Sequence, residues 1–498
     1  LEGVRKQLSV GAIWTAGGRV VSNLLGVVSM LVLARLLTPV DFGLVTLATI
    51  VLSIVAAVTE LSLSSALIQH KNPQREHYDT AWTLNALRAA GIAIVLVIAG
   101  YPAAWMYHDD RLTSIFFALA GGALVGGLAN PRLVDFRRRL SFHQEIFIDL
   151  INKVVGVVVA VAIALAFRSY WALVISTLAS QVVGVVMSYV LLPYLPRISF
   201  AHWRNLFSFS GWAALSSGLN EINWRADQLA LGDMLGAGPL GQYTVGDRLA
   251  SLPVRESTAP ISGVLFPAFA RLQDDPERLR HAFLRSQSLL AAAALPMGVG
   301  FALVARPFID MVLGPAWSSA ALVAQVLGVV LATTAFKLPV TPLAMGLGCT
   351  RSLFQLDLTF IFIRLPLIFA GLLLGGLSGL LFARCISAAI GIMMYVFLAR
   401  RLIGVSVRAQ LLAGWRASVA TLFMAGCVWS VGLMINSEPE GLQLTIMVLI
   451  GGISYCGASL VLWLVSGKPA GPEREALDLL QFVRRGVSAI YRERLADP

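Results

Sequence analysis

Seven ionisable residues lie inside two hydrophobic stretches that are each long enough to cross a bilayer. Glu221, Arg225 and Asp227 sit in the first, and Asp247, Arg248, Arg255 and Glu256 in the second. Charge at membrane depth is costly and persists where it faces protein, water or a ligand. At about 100° per residue, Thr244, Asp247, Arg248, Ser251, Arg255 and Thr258 fall on one stripe of a helix. A guanidinium stays protonated and presents a planar fork of donors that matches two phosphate oxygens. The chemistry expected of such a stripe is recognition of an anion, a diphosphate foremost, with no bond made or broken.

The same reading applies elsewhere in the chain. Arg19 shares a face with Thr15, Ser22 and Asn23, Arg88 lies beside Asn85, and Lys337 lies among Thr333, Thr334 and Thr341. No carboxylate stands at helical spacing from Arg19, Arg88, Arg248, Arg255 or Lys337 within the same apolar stretch, Asp247 beside Arg248 excepted. These five are the candidate anion-binding residues. Glu221 and Arg225, Asp149 and Lys153, and Asp357 and Arg364 each have a partner at hand and read first as ion pairs holding helices together. Asp227 and Asp247, with Glu221 and Arg225, are the positions where a coupling ion, H+ or Na+, is to be weighed against a structural role. Pro253, Pro260 and Pro267 recur every seven residues, free backbone carbonyls along one side, and predict either a hinge or a set of filled static kinks.

Metal and redox chemistry find little support. Cys349, Cys385, Cys427 and Cys456 are far apart with no C-x-x-C, and the six histidines fall mainly in predicted loops, so neither a metal site nor another cofactor is expected.

These residues require a membrane to position them. The 498 residues are 57% hydrophobic and only 13% charged, and the mean hydropathy is +0.77, the composition of a polytopic membrane protein. The net charge of +11 then reports loops rich in Lys and Arg rather than affinity for nucleic acid. A span needs roughly 20 apolar residues, and about fourteen all-α spans are predicted: 9–35, 42–67, 80–105, 112–134, 145–167, 170–192, 204–234, 239–268, 281–305, 318–346, 353–375, 377–399, 409–435 and 441–466. The first is too long for the apolar core of a signal peptide and lacks its cleavage site. Alternate loops collect Arg5, Lys6, Lys71, Arg75, Arg132, Arg137, Arg138, Arg139, Arg197, Arg204, Arg271, Arg278, Arg280, Arg351, Arg400, Arg401 and Arg408. The positive-inside rule makes that set cytoplasmic and places both termini inside.

An internal repeat organises the spans. Trp14, Leu33, Leu37, Gly43 and Thr46 recur 198 residues later as Trp212, Leu231, Leu235, Gly241 and Thr244. Six spans per repeat is an even number, so the halves share one orientation and put a substrate path between them. The predicted organisation is an N-terminal lobe over 1–197, a C-terminal lobe over 198–402, two additional spans over 403–466, and a tail over 467–498. In the tail Leu477, Leu480, Val483, Val487 and Ile490 form one face against Arg474, Arg484, Arg485 and Arg492. It is either a helix lying on the anionic inner leaflet or a solvated extension.

At four places the residues resemble a known family: Ala34-Arg-Leu-Leu-Thr-Pro-Val-Asp-Phe-Gly43, the Arg-Ala-Asp-Gln-Leu-Ala-Leu-Gly run ending at Gly232, Leu240-Gly-Gln-Tyr243, and the block Leu265-Phe-Pro-Ala-Phe-Ala-Arg-Leu-Gln-Asp-Asp-Pro-Glu-Arg-Leu279. They are similar to the polysaccharide transporter (Wzx-type) family of the MOP flippase superfamily, in its colanic-acid and succinoglycan exporter branch. The resemblance spans roughly 5–465 and is most specific over 225–280. It implies two pseudo-symmetric six-helix lobes around a central cationic cavity, two additional C-terminal helices, and alternating access. The implied cargo is an oligosaccharide repeat unit on undecaprenyl diphosphate, moved across the bacterial inner membrane, with polysaccharide polymerase machinery and membrane lipids as partners. The cavity role falls on Arg19, Arg88, Arg248 and Arg255, and more weakly on Lys337; Asp227 matches the family's acidic position. The diphosphate is expected between arginines of the first and eighth spans.

Three rivals remain. A cation-coupled multidrug antiporter of the same superfamily should line its cavity with carboxylates and aromatics, and a peptidoglycan-precursor flippase shares the fold. A membrane polymerase or ligase normally needs a substantial extracytoplasmic loop, whereas the longest expected here, near 306–317, is about a dozen residues.

Overall fold

The computed structural model describes residues 2–60, 63–69, 73–138, 142–201, 211–435, 438–469 and 471–475. Lys71, Arg139, Arg204, the tail beyond 475 and the side chain of Arg19 lie outside the described residues. Among the described residues every regular element is helical. The chain opens with α1 (Glu2–Leu36), α2 (Pro39–Val58) and the short α3 (Leu63–Gln69). Next come α4 (Arg75–Tyr107), α5 (Arg111–Gly127), α6 (Val134–Arg138), α7 (Phe142–Phe167) and α8 (Trp171–Leu191). Then α9 (Gly211–Leu235) and α10 (Ala237–Arg271) lead to α11 (Pro276–Val312), α12 (Ser318–Thr333), α13 (Val340–Gly346) and α14 (Thr350–Ile403). The last described helices are α15 (Val407–Ala413), α16 (Trp415–Met434) and α17 (Glu440–Val465).

As far as the described residues reach, each of the fourteen predicted spans falls on a helix or a broken pair of helices. Among the described residues, nine helices pass a test of length and hydropathy for crossing a membrane, and the pair Arg111–Gly127 and Pro131–Arg138, bent by 59°, makes a tenth. Of the remaining spans, the described apolar part of α1, Val21–Leu36, is shorter than a full crossing, while α9 and α10 fall short because they carry the seven charges described above. The last is hidden within α14, whose 54 residues would make a rod of about 80 Å at 1.5 Å per residue, far longer than a bilayer is thick. Its torsions break at Gly375 and Gly376, where Gly376 has φ 56° and ψ −133°, a region open essentially to glycine alone. Beyond that break the helix doubles back, so the Tyr395 hydroxyl donates to Asp357 Oδ1 at 2.5 Å and Phe360 packs against Gly391.

Local sequence explains where helices begin. Thr38 caps α2 by accepting from the Asp41 amide at 3.3 Å, Asp41 Oδ2 accepts from the Thr38 amide at 2.9 Å, and Pro39 fills the first helical position. Asp275 caps α11 by accepting from the Arg278 amide at 3.1 Å, again followed by proline.

The chain divides into two compact units, Leu1–Thr244 and Val245–Pro498, with the boundary inside α10. In the first, α4 packs on α5, α7 on α8, α1 on α7, and α9 on α2. In the second, α11 packs on α12 and also carries α16 and α17, while α14 folds on itself. The order of hairpins in the first unit thus returns in the second. The repeat is also visible as a reciprocal contact within the first unit. A Cβ on Gly43 would come within 1.8 Å of the Ala237 carbonyl oxygen, and one on Gly241 within 1.8 Å of the Pro39 carbonyl oxygen. Residues 39 and 43 correspond to 237 and 241 at the 198-residue offset, so each repeat presents its glycine to the other's helix start. Only hydrogen fits at that crossing.

Candidate functional site

In the first unit Arg88 lies on α4, half-buried, at the edge of a cavity of about 560 Å³. Its guanidinium donates to the Ala56 carbonyl at 2.8 Å and to Thr59 Oγ1 at 3.4 Å, so it closes the C-terminal end of α2, where the carbonyls lack intrahelical donors. Asn85, one turn earlier, does the same for α5 through the Gly127 carbonyl at 3.0 Å. The pair that looked like a polar stripe in sequence therefore terminates two neighbouring helices. The cavity wall also holds Trp82, Glu60, and the Arg137–Glu145 ion pair, whose Arg137 Nε to Glu145 Oε1 distance is 2.8 Å.

Two carboxylates of α9, Asp227 and Glu221, have partners in the fold. Asp227 is 2% exposed, and its Oδ2 accepts the Tyr243 hydroxyl at 2.8 Å, tying α9 to the start of α10. Glu221 and Arg225 pair at 2.9 Å as their spacing suggested, and Arg225 also donates to Gln228 Oε1 at 3.2 Å.

In the second unit α10 stays helical through Pro253, Pro260 and Pro267 and carries Arg248 and Arg255 exposed on one side. Seven residues place them about 10 Å apart along the axis, close enough to act electrostatically on one another. Asp247 beside them is half-buried. Arg255 Nε approaches Glu256 Oε1 at 3.3 Å, with both side chains largely exposed, an arrangement that contributes little on its own.

Lys337 stands where its span is broken. A 3₁₀ turn over Thr334–Phe336 separates α12 from α13, and the Lys337 amide closes that turn on the Thr334 carbonyl at 2.9 Å. The fully buried Gln287 of α11 donates to the Phe336 carbonyl at 2.8 Å, serving a group that the break sets free. The Lys337 ammonium lies 5.9 Å from the centre of the Phe360 ring and 5.5 Å from that of Tyr395. Arg364, Arg384 and Asp357 all act on it electrostatically, and both arginines are buried, at 4% and 8% exposure. Lys337, Arg364 and Arg384 thus lie within electrostatic reach of one another, with Asp357 beside them.

Comparison with known proteins decides the family. Residues 32–322, more than half of the chain, match the family model described as polysaccharide biosynthesis protein. The chain belongs to the polysaccharide biosynthesis protein family. It is 25% identical to the lipopolysaccharide biosynthesis protein WzxC of Escherichia coli (strain K12), over 87% of this chain and 89% of that one. It is 28% identical to the succinoglycan biosynthesis transport protein ExoT of Rhizobium meliloti (strain 1021), over 59% and 60% of the two chains. The fold is that of the lipid II flippase MurJ in an inward closed conformation, with a TM-score of 0.71, 13% identity, and coverage of 91% and 98%. This member of the polysaccharide biosynthesis protein family is a multi-pass membrane protein.

Sequence reasoning did not single out Arg384, Phe360 or Tyr395. The signal for Arg384 was present, as a lone cation in the apolar run 377–399. The two aromatics carried none, since their role depends on how α14 folds back toward Lys337.

Proposed function

We propose that the chain is a flippase that moves oligosaccharide repeat units linked to undecaprenyl diphosphate across the bacterial inner membrane. It serves exopolysaccharide or lipopolysaccharide biosynthesis by alternating access, without covalent chemistry. Family membership supports the class of cargo, and the names of WzxC and ExoT point to polysaccharide assembly and export. The observation that carries the reading is the excess of cationic side chains at membrane depth. Arg248 and Arg255 face outward from α10, while Lys337, Arg364 and Arg384 gather around a broken span. An arginine left facing hydrocarbon costs several kcal/mol, so the exposed side of α10 faces water or an anion. A drug or cation antiporter would need the opposite polarity there.

Arg248 and Arg255 hold the diphosphate through bidentate hydrogen bonds, and the prenyl tail stays in lipid. The deciding experiment uses cells that lack this protein but retain glycan synthesis. The leaflet location of the lipid-linked oligosaccharide is read with a membrane-impermeant sugar-oxidising reagent. Full-length repeat units accumulate protected on the cytoplasmic side if the protein is the flippase. Unchanged lipids would point to the antiporter, and units exposed outside but unpolymerised would point to an enzyme.

A further inference from the structure

A second cavity in the first unit, of about 860 Å³, has a different composition and no part in the reading above. Arg75, Arg132 and Arg138 line it together with Tyr78, Tyr194 and Asp135. These residues come from the first turn of α4, the bent turn after α5, α6, and the extended segment after α8. All lie where spans leave the apolar core, on the side to which the positive-inside rule assigns the cytoplasm.

Buried polar groups hold the walls in place. Asp79, 4% exposed, accepts the Tyr194 hydroxyl and, at 3.2 Å, the Arg197 amide. Ser199 is anchored through its amide to Thr83 Oγ1 at 3.0 Å, and Asn130, 2% exposed, donates to the carbonyls of Ser188 at 3.1 Å and Leu192 at 2.7 Å. The segment after α8 is thus fastened along α4 although it has no regular structure. Tyr78 donates to Asp135 Oδ1 at 2.5 Å. Burial, helped by Asp79, raises the pKa of the Tyr194 hydroxyl and keeps it a neutral donor. Both carboxylates spend lone pairs on these tyrosines. The nearest approach of Arg75 to Asp79 is 3.8 Å, and that of Arg132 to Asp135 is 3.5 Å. Arg75 also donates to the Leu195 carbonyl at 3.1 Å, and three guanidinium groups against the two carboxylates Asp79 and Asp135 leave the site with a net positive charge.

The rim supplies a second, independent observation. Leu195, Ile198 and Phe200 on the fastened segment are 79%, 77% and 52% exposed. Large apolar side chains held outward beside arginines, at the end of spanning helices, match an interface in which acyl chains lie below and phosphates above. The cavity is far larger than a bare phosphate ion and has room for a phosphodiester with its substituents.

We propose that this cavity binds the phosphodiester headgroup of an anionic phospholipid of the inner leaflet, with the acyl chains along Leu195, Ile198 and Phe200. The arginines take the phosphate oxygens in bidentate fashion. Bound lipid there clamps α4, α6 and the segment after α8, independently of any cargo.

The test is native mass spectrometry of the full chain in detergent, titrated with phosphatidylglycerol, phosphatidylcholine or inorganic phosphate. The expected result is one phosphatidylglycerol bound at least about tenfold more tightly than phosphatidylcholine. Arg75→Gln combined with Arg132→Gln should abolish that preference, and Leu195→Ser combined with Ile198→Ser should weaken it severalfold. Arg278→Gln, an exposed cation of the other unit, should leave it unchanged, and size-exclusion profiles establish that each variant is folded. Equal binding of phosphatidylglycerol by the double arginine variant overturns the proposal. So does inorganic phosphate that competes fully while the Leu195 and Ile198 variant binds normally, which would identify a soluble phosphate compound as the ligand. Neither result bears on the cargo, which the leaflet assay addresses.

Discussion

Arg248 and Arg255 are the side chains on which transport should depend most directly. A hydrogen bond to a charged group contributes about 1.5–3 kcal/mol, equivalent to roughly 10- to 100-fold in affinity. Replacing both residues by alanine is expected to lower polysaccharide export by at least tenfold at an unchanged protein level, and export equal to that of the parent would remove them from the diphosphate site. Asp227 separates two roles. Its buried carboxylate accepts the Tyr243 hydroxyl, so Asp227→Ala should cost about 1–3 kcal/mol of stability and lower Tm, with export falling only as far as the amount of folded protein. A variant with the parent's Tm but no export would instead indicate ion coupling at this carboxylate.

At the scale of elements, the crossing of α2 and α10 and the proline ladder of α10 make opposite demands. The crossing is closed on backbone, since a Cβ at Gly43 meets the Ala237 carbonyl at 1.8 Å. Overpacking costs 1–3 kcal/mol where side chains can move, and backbone yields less readily. Gly43→Val is therefore expected to lower Tm or membrane accumulation by more than Gly91→Val, at a glycine where a Cβ would meet nothing within 4 Å. The ladder frees carbonyls within an otherwise continuous helix. Pro260→Ala restores an amide that can bond the Glu256 carbonyl, so α10 should stiffen. Stability is expected to hold or rise while the export rate falls, and an unchanged rate would make the prolines static kinks.

At the scale of the whole molecule, fourteen spans with an Arg-rich side predict both termini in the cytoplasm. In a background with Cys349, Cys385, Cys427 and Cys456 replaced, His108→Cys should react with an impermeant thiol reagent in intact cells. Arg278→Cys should react only after lysis. The reverse pattern would invert the topology and put the arginine cavity on the outer leaflet. Within each unit, hairpins of adjacent spans form most of the packing, and in the second unit α11 also carries the two C-terminal helices, α16 and α17.

The sequence alone determined what depends on local composition. Helix positions follow from apolar length, their starts from Thr38-Pro39 and Asp275-Pro276, and the break in α14 from Gly375-Gly376, because a bilayer forces every backbone amide into a helix and leaves few places to stop. The 198-residue repeat was legible too, since Gly43 and Gly241 are constrained by the same backbone contact. The tertiary structure alone decided which charges meet. Arg88 read as a free cation until α2 brought its last carbonyls to it. Lys337 read as isolated until α14 folded back to set Phe360, Tyr395, Arg364 and Arg384 around it. Arg75, Arg132 and Arg138 read as markers of topology until the segment after α8 fastened to α4 and enclosed them. Side-chain partners separated by tens of residues leave no periodic trace in a single chain, since electrostatics and packing act through space and the path of the chain sets which residues are near.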